Sequence, residues 1–429
     1  MRKFESWGRF PSVSQVILSL RSRHDAFPSA DGLSVLPYGQ GRSYGDCCLN
    51  EGGAVVETSR LDHFISFDRS TGVLRAEAGV TLENILRVVV PAGWFLPVSP
   101  GTKFVSLGGA IANDIHGKNH HRAGTFGRHV RSFELLRSDG SRLECSPENH
   151  PEMFRATIGG LGLTGIISWA EIQLKKIEGP YIDVETIKFR SLDEFFELSA
   201  ISDTNFEYTV AWLDCVRTGA QQGRGHFMRG NHSSKKVSRS RENLPLSPFC
   251  VVPFDAPSFA LNKFSVSAFN WAYFHRQGPR EKRATVHFDP FFYPLDRVLH
   301  WNRIYGRRGF LQFQCVVPKA DDNRALREIF REVVISGRAS FLAVLKEFGN
   351  VDSPGILSFP QPGMTLCLDF PFEGQKTRTL FETLDTLVHS FGGRLYPAKD
   401  ALMRREHFQS YYPRFREMEQ FIDPRCSSS

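Results

Sequence analysis

The sequence predicts an α+β protein of two or more units, and three observations carry that reading. Short β-type runs alternate with single helices through the first third of the chain. Beyond Lys176 longer alternating strands and frequent phenylalanine appear, and 41% hydrophobic residues over 429 positions supply more than one core. In the first third, Leu33 to Pro37, Ala54 to Glu57 and Leu74 to Ala78 read as strands bounded by turn residues. Leu82 to Val90 reads as a helix stopped by Pro91 and Gly93. Val130 to Arg137 and Ile166 to Leu174 read as strands, separated by the turn Ser138-Asp139-Gly140 and a short helix at Pro151 to Thr157. In the second unit Tyr208 to Leu213, Phe310 to Val317, Ser340 to Leu345 and Met364 to Phe370 read as strands of a sheet. Ala325 to Ser336 and Arg378 to Phe391 read as its helices.

The bulk properties narrow the classes. A formal charge of +7 fits phosphorylated ligands as well as nucleic acid. No zinc spacing, basic helix or aromatic nucleic-acid motif accompanies it, so no nucleic-acid partner is expected. The basic, apolar-poor stretch Arg229 to Arg241 reads as a mobile surface loop, and Ser427 to Ser429 as a disordered tail. Eight cysteines without a CxxC pair imply buried thiols in a reduced compartment. Met1 to Val16 has no apolar leader core, and no window approaches the roughly 18 apolar residues of a membrane span. A cytoplasmic location is the default expectation, with peripheral contact at the inner membrane if the substrate carries a lipid.

Chemistry concentrates in three glycine-rich pieces. Tyr38-Gly39-Gln40-Gly41-Arg42-Ser43-Tyr44-Gly45 follows a strand directly, and such glycines let backbone N–H groups approach an anion. The spacing is GxGxxxG, which is neither a dinucleotide fingerprint nor a Walker A loop. Residues 97–127, PVSPGTKFVSLGGAIANDIHGKNHHRAGTFG, crowd six glycines and three histidines into a stretch with almost no helical periodicity. A segment wrapped around a long, polar, diphosphate-containing ligand has that character. The third piece is GGLGLTGII at 159–167. His116, His120 and His121 lack carboxylate or cysteine partners at ligand spacing, so no metal is expected. His116 is placed near the ligand, and the other two read as hydrogen-bond donors or structural groups.

Together GQGRSYGD, the PGT…GGAIANDIHGKNHHRAGTFGRHVRS run and GGLGLTGII resemble the vanillyl-alcohol-oxidase superfamily of FAD enzymes. Within it the likeness is strongest to the decaprenylphosphoryl-β-D-ribose 2′-oxidase family, and it runs from Trp7 to about Pro424. The resemblance implies a two-subdomain PCMH-type FAD-binding domain at 1–178. It also implies an α+β substrate domain with an antiparallel sheet at 179–394, and a segment at 395–429 that returns to the FAD domain. It implies FAD contacts from Tyr38 to Gly45, Gly101, Ser106, Leu107, Gly108, Gly109, Asn113, Asp114, Ile115, His116, Ile167 and Tyr396. Tyr44 stands where many members carry a flavin-tethering histidine, so the resemblance implies non-covalent FAD.

For the substrate side it implies Trp212, Gln312, Gln314, Lys346, Thr365, Cys367 and Lys399. Gln312 and Gln314 alternate along an apolar strand and so share one face; a hydroxyl-rich sugar or solvent would satisfy them. Lys399 and His116 are the candidates for proton handling, with Tyr44 behind them. Three positions depart from the family pattern: Thr365 for asparagine, Val210 for serine, and Phe292 for a tyrosine, with Tyr293 adjacent. The resemblance implies oxidation of a polyprenyl-phosphate or nucleotide-linked pentose at its 2-position to the keto-sugar, as the first half of an epimerisation. A separate NAD(P)H-dependent keto-reductase would complete it, and quinone or oxygen would accept the electrons. An alditol or aldonolactone oxidase using oxygen is the alternative within this class, and a non-catalytic, basic nucleic-acid-binding protein is the alternative of another class.

Overall fold

The computed structural model describes residues 4–28, 30, 32–234, 244–257, 259–338 and 340–429. Two sheets form before residue 174. The strands Val16–Ser19, Ala54–Glu57 and Val35–Tyr38 lie parallel in that spatial order. An antiparallel sheet runs Phe64–Asp68, Val73–Glu77, Ile166–Gln173, Val130–Leu136, Arg142–Cys145. The helix Leu82–Val89 packs onto the same core through Leu82, Ile85, Leu86 and Val89, an i, i+3, i+4, i+7 stripe. Thr81 caps it by accepting the Asn84 N–H, and the φ of +82° at Gly93 ends the turn that follows it.

The second unit is built on one eight-stranded antiparallel sheet. Its order is Glu281–His287, Tyr181–Phe189, Gly225–His232, Tyr208–Leu213, Ala343–Phe348, Gly363–Pro371, Phe310–Val317, Arg394–Leu395. Side-chain alternation gives its central strands two unlike faces. Leu311, Phe313, Cys315 and Val317 join Leu366, Leu368, Phe370, Ala343 and Leu345 in an apolar core under the helices Ala320–Ile335 and Gln375–Ser390. The opposite face carries Gln312, Gln314, Thr365, Cys367, Asp369 and Lys346, set side by side by the register Gln312↔Asp369, Gln314↔Cys367 and Lys346↔Thr365.

Several expectations are corrected. The tail at Ser427 to Ser429 is docked, not loose: Ser427 N–H donates to Val35 O and Ser429 N–H to Leu49 O. Arg229 to His232 belong to a sheet strand, and Arg229 pairs with Glu185 at 2.7 Å; residues 235–241 of that basic stretch lie outside the described residues. The strand expected at Ser340 to Leu345 is Ala343–Phe348, because Ser340 is engaged before it. Its N–H meets Cys215 Sγ and its hydroxyl accepts the Asp369 N–H. The Ala320–Ile335 helix carries left-handed φ values of 50° to 58° at Asp321 to Asn323, so regular helix begins close to the expected Ala325. All eight cysteines are free thiols, five of them buried, and Cys250 is exposed.

Candidate active site

The polar face of the large sheet looks across a cavity of about 380 Å3 at a wall made largely of glycine backbone. Gly39, Gln40, Gly41, Arg42, Ser43 and Tyr44 line it from the first motif. Gly101, Ser106, Gly108, Gly109, Asn113, Ile115 and His116 line it from the second, Ile167 from the third, and Tyr396 from the returning C-terminal segment. Trp212, Gln312, Gln314, Lys346, Cys367 and Lys399 close it opposite.

The remaining expected residues have their side chains behind this wall. Tyr38 donates its hydroxyl to Glu5 O and packs on Phe4. Gly45 has no room for a Cβ, which would fall 1.5 Å from Asp400 O. Leu107 is fully buried in the first core. Asp114, in left-handed backbone at φ +38°, accepts the Gly127 N–H at 2.8 Å and the hydroxyls of Ser353 and Ser358, so it anchors the loop rather than facing the cavity. Thr365 lies under Gln314, 3.3 Å from its amide nitrogen.

Local geometry explains how the segments converge. Tyr44 N–H donates to Ala398 O at 2.9 Å, which ties the first glycine turn to the returning segment. Lys399, next in sequence, projects its Nζ over the Tyr44 ring, 3.9 Å from the centroid. Ser106 caps the short helix Leu107–Ala112 through the Gly109 N–H. Gly39 passes so close to Ser106 that a Cβ would meet its hydroxyl at 2.4 Å. A Cβ on Gly101, by contrast, would meet no protein atom within 4 Å, so this glycine edges open cavity.

His116 is buried among Phe348, Phe359 and Tyr396. Burial first, then Lys346, holds its pKa well below the ordinary value, so the ring is neutral. Lys346 Nζ lies 3.3 Å from Nδ1 and the Gln314 amide 3.0 Å from Nε2. A neutral imidazole has one donor and one acceptor, and both ring nitrogens are engaged here, Nδ1 by Lys346 Nζ and Nε2 by the Gln314 amide nitrogen. Burial lowers Lys346 to about 8. Burial also lowers Lys399 and raises Tyr44, so the phenol keeps its proton.

Two groups that the sequence reading did not place in the site belong to it. Lys118, the lysine of DIHGKNHH, lines the cavity, donates to Phe291 O, and is pushed by burial to about 7. Asp369, two residues beyond Cys367, accepts the Gln312 amide at 2.5 Å and is raised by burial to about 7. The period-2 alternation through Thr365 and Cys367 is the signal that points to it. Cys367 itself is held up at about 12 by burial, so it is a thiol rather than a nucleophilic thiolate. His121 donates its Nε2–H to Phe206 O, whereas the His120 ring has no hydrogen-bond partner among the described residues and packs on Phe348.

The cavity suits an anionic dinucleotide. Among the described residues Arg42, Lys118, Lys346 and Lys399 line it against a single carboxylate, Asp296, and Arg42 is held over the Trp7 ring at 4.1 Å. Such an excess of buried positive charge is costly unless an anion enters.

Comparison with known proteins agrees. Residues 26–146 match the family model described as an FAD binding domain. The fold and the site thus define a flavoprotein, an FAD-dependent oxidoreductase acting on a CH–OH group. The chain is 38% identical to decaprenylphosphoryl-beta-D-ribose oxidase of Mycolicibacterium smegmatis over 99% of its own length and 95% of that protein. It is 33% identical to an uncharacterized protein from the mprA 5′ region of Streptomyces coelicolor, over 80% of this chain and 96% of that one. Human delta(24)-sterol reductase matches at 28% over only 27% of the chain and 22% of its own length. The chain belongs to the decaprenylphosphoryl-β-D-ribose oxidase family of the PCMH-type FAD enzymes.

Proposed function

We propose that the protein oxidises the 2-hydroxyl of a polyprenyl-phosphoryl pentose to the keto-sugar, with FAD held non-covalently. The observation that supports this best is the pair Gln312 and Gln314 on a buried sheet face, flanked by Lys346 and Lys399 and looking at the glycine wall. Amides that discriminate hydroxyls, beside cations that discriminate a phosphate, fit a phosphorylated sugar. In this reading residues 1–178 hold FAD, 179–394 hold substrate and 395–429 bring Tyr396 and Lys399 back to the cofactor.

Bound FAD supplies the hydride acceptor. Lys399, whose pKa burial has lowered, takes the substrate hydroxyl proton at Nζ. Tyr44 fixes that amine from below and, being a tyrosine, offers no tethering imidazole. His116 has both ring nitrogens occupied by Lys346 and Gln314, so it orients those two groups instead of acting as the base. A separate NAD(P)H-dependent reductase would complete the epimerisation, and quinone or oxygen would take up the electrons. The test is anaerobic mixing with a panel of sugars: a polyprenyl-phosphoryl pentose bleaches the flavin, and bleaching by free alditols or lactones alone overturns the assignment.

A further inference from the structure

We propose that the face formed by residues 249–257 and 259–271, which reaches the active-site cavity through Tyr273, is a docking surface for an anionic lipid bilayer. Its purpose rests on the lipid-linked substrate proposed above; its existence rests on the following features. Phe249, Phe254, Phe259, Phe264, Phe269 and Trp271 are exposed, Phe264 at 86%. Elsewhere among the described residues exposed large hydrophobics are scattered singly or as the pair Val16 and Ile17, which needs no explanation, but such a run does.

The helix Lys263–His275 shows the pattern most clearly. It buries only Val266 and Asn270, contains no acidic residue, and sets Phe264 and Trp271 one above the other at i, i+7. Exposed Phe264 and Trp271, with Lys263 and Arg276 at the two ends of the helix, offer aromatic and cationic groups to a membrane interface.

Charge selects the bilayer's sign. Between residues 244 and 276 the one carboxylate among the described residues, Asp255, is paired with Arg9 at 2.5 Å. Lys263 and Arg276 flank the helix, and exposed Arg307 and Arg308 follow Gly306, which packs on Ala256. Anionic headgroups complement that rim. An aromatic track leads inward from the patch: Phe269 stacks on Tyr273, and Tyr273 lies 4.6 Å from Trp212, with both Tyr273 and Trp212 lining the cavity. A prenyl chain leaving the bilayer would find apolar contact along that track to the site.

The experiment is co-sedimentation of the holoenzyme with vesicles of phosphatidylcholine alone or mixed with phosphatidylglycerol. We expect salt-sensitive binding to the mixed vesicles, weakened about tenfold or more in Phe259→Ser/Phe264→Ser and in Arg307→Glu/Arg308→Glu. In parallel, brominated lipids should quench tryptophan emission of the unsubstituted holoenzyme through Trp271, a readout that needs no variant to fold. Holoenzyme that remains in the supernatant with both vesicle types and is not quenched overturns the proposal. So does a dimer on size exclusion that the double serine variant disperses, which would assign the face to a second copy. Flavin bleaching by a sugar donor is read separately, so a protein that bleaches but ignores vesicles contradicts the docking surface and leaves the sugar chemistry standing.

Discussion

Lys399 Nζ stands 3.9 Å from the centroid of the Tyr44 ring, a contact between residues 355 positions apart in the chain. The first glycine turn and the C-terminal return meet there, tied by the Tyr44 N–H to Ala398 O hydrogen bond. Burial of this amine lowers its pKa and outweighs the opposing pull of Cys367, Asp369 and Cys47, so Lys399 loses its proton more readily than a solvated lysine.

Lys399→Ala should therefore retain bound flavin but slow its anaerobic reduction by about 10²–10⁴-fold, the usual worth of a positioned general base. In the unsubstituted enzyme that rate should rise with pH and level off below pH 10.5, the ordinary lysine value, because only the free amine accepts the proton. Stopped-flow flavin absorbance across pH checks both. A Lys399→Ala enzyme with the original rate and pH profile would remove this residue from the chemistry.

Gly45 and Gly101 separate folding from cofactor binding. Gly45→Ala forces a Cβ against Asp400 backbone at 1.5 Å and should lower expression and melting temperature together. Gly101→Leu meets no protein atom within 4 Å of its Cβ and should leave the apoprotein fold intact while weakening FAD binding. Circular dichroism and flavin content, measured on both, distinguish the two outcomes.

How far the site was legible in the sequence follows from the same two glycines. Dense glycine with polar side chains marked both loops, yet nothing local distinguished Gly101, which edges the cavity, from Gly45, which lets two chain segments touch. Gln312 and Gln314 were legible because period-2 alternation fixes a shared face within one strand. Asp369 was not, because its meaning depends on register with Gln312 in a neighbouring strand. The central strands Tyr208–Leu213 and Phe310–Val317 read correctly from their apolar pattern. The edge strand Glu281–His287 did not, since its exposed, charged residues carry no such pattern.

Lys118 gives the apoprotein a pH signature. Its folded pKa, about 7, lies below the ordinary 10.5, so between those values the unfolded chain binds the extra proton. The cost of burying the charge is full below pH 7 and is relieved as pH rises through that window. Apoprotein stability attributable to this group should thus increase from pH 7 upward, and Lys118→Met should flatten the rise in denaturant midpoint.

Gln312→Met should leave flavin bound and raise KM for the sugar donor, because the substrate loses an amide partner. It also strips the buried Asp369 Oδ1 of its Gln312 donor, so a stability loss of about 1–3 kcal/mol should accompany it. Steady-state kinetics with chemical denaturation resolve the two effects.

The proposed hydride removal from the pentose 2-position is measured directly by anaerobic flavin reduction with polyprenyl-phosphoryl ribose deuterated at C2. Bleaching is expected with a primary isotope effect at that carbon and a 2-keto product. Bleaching without an isotope effect at C2 but with one at another ring carbon, or no bleaching by the pentose conjugate at all, would contradict it.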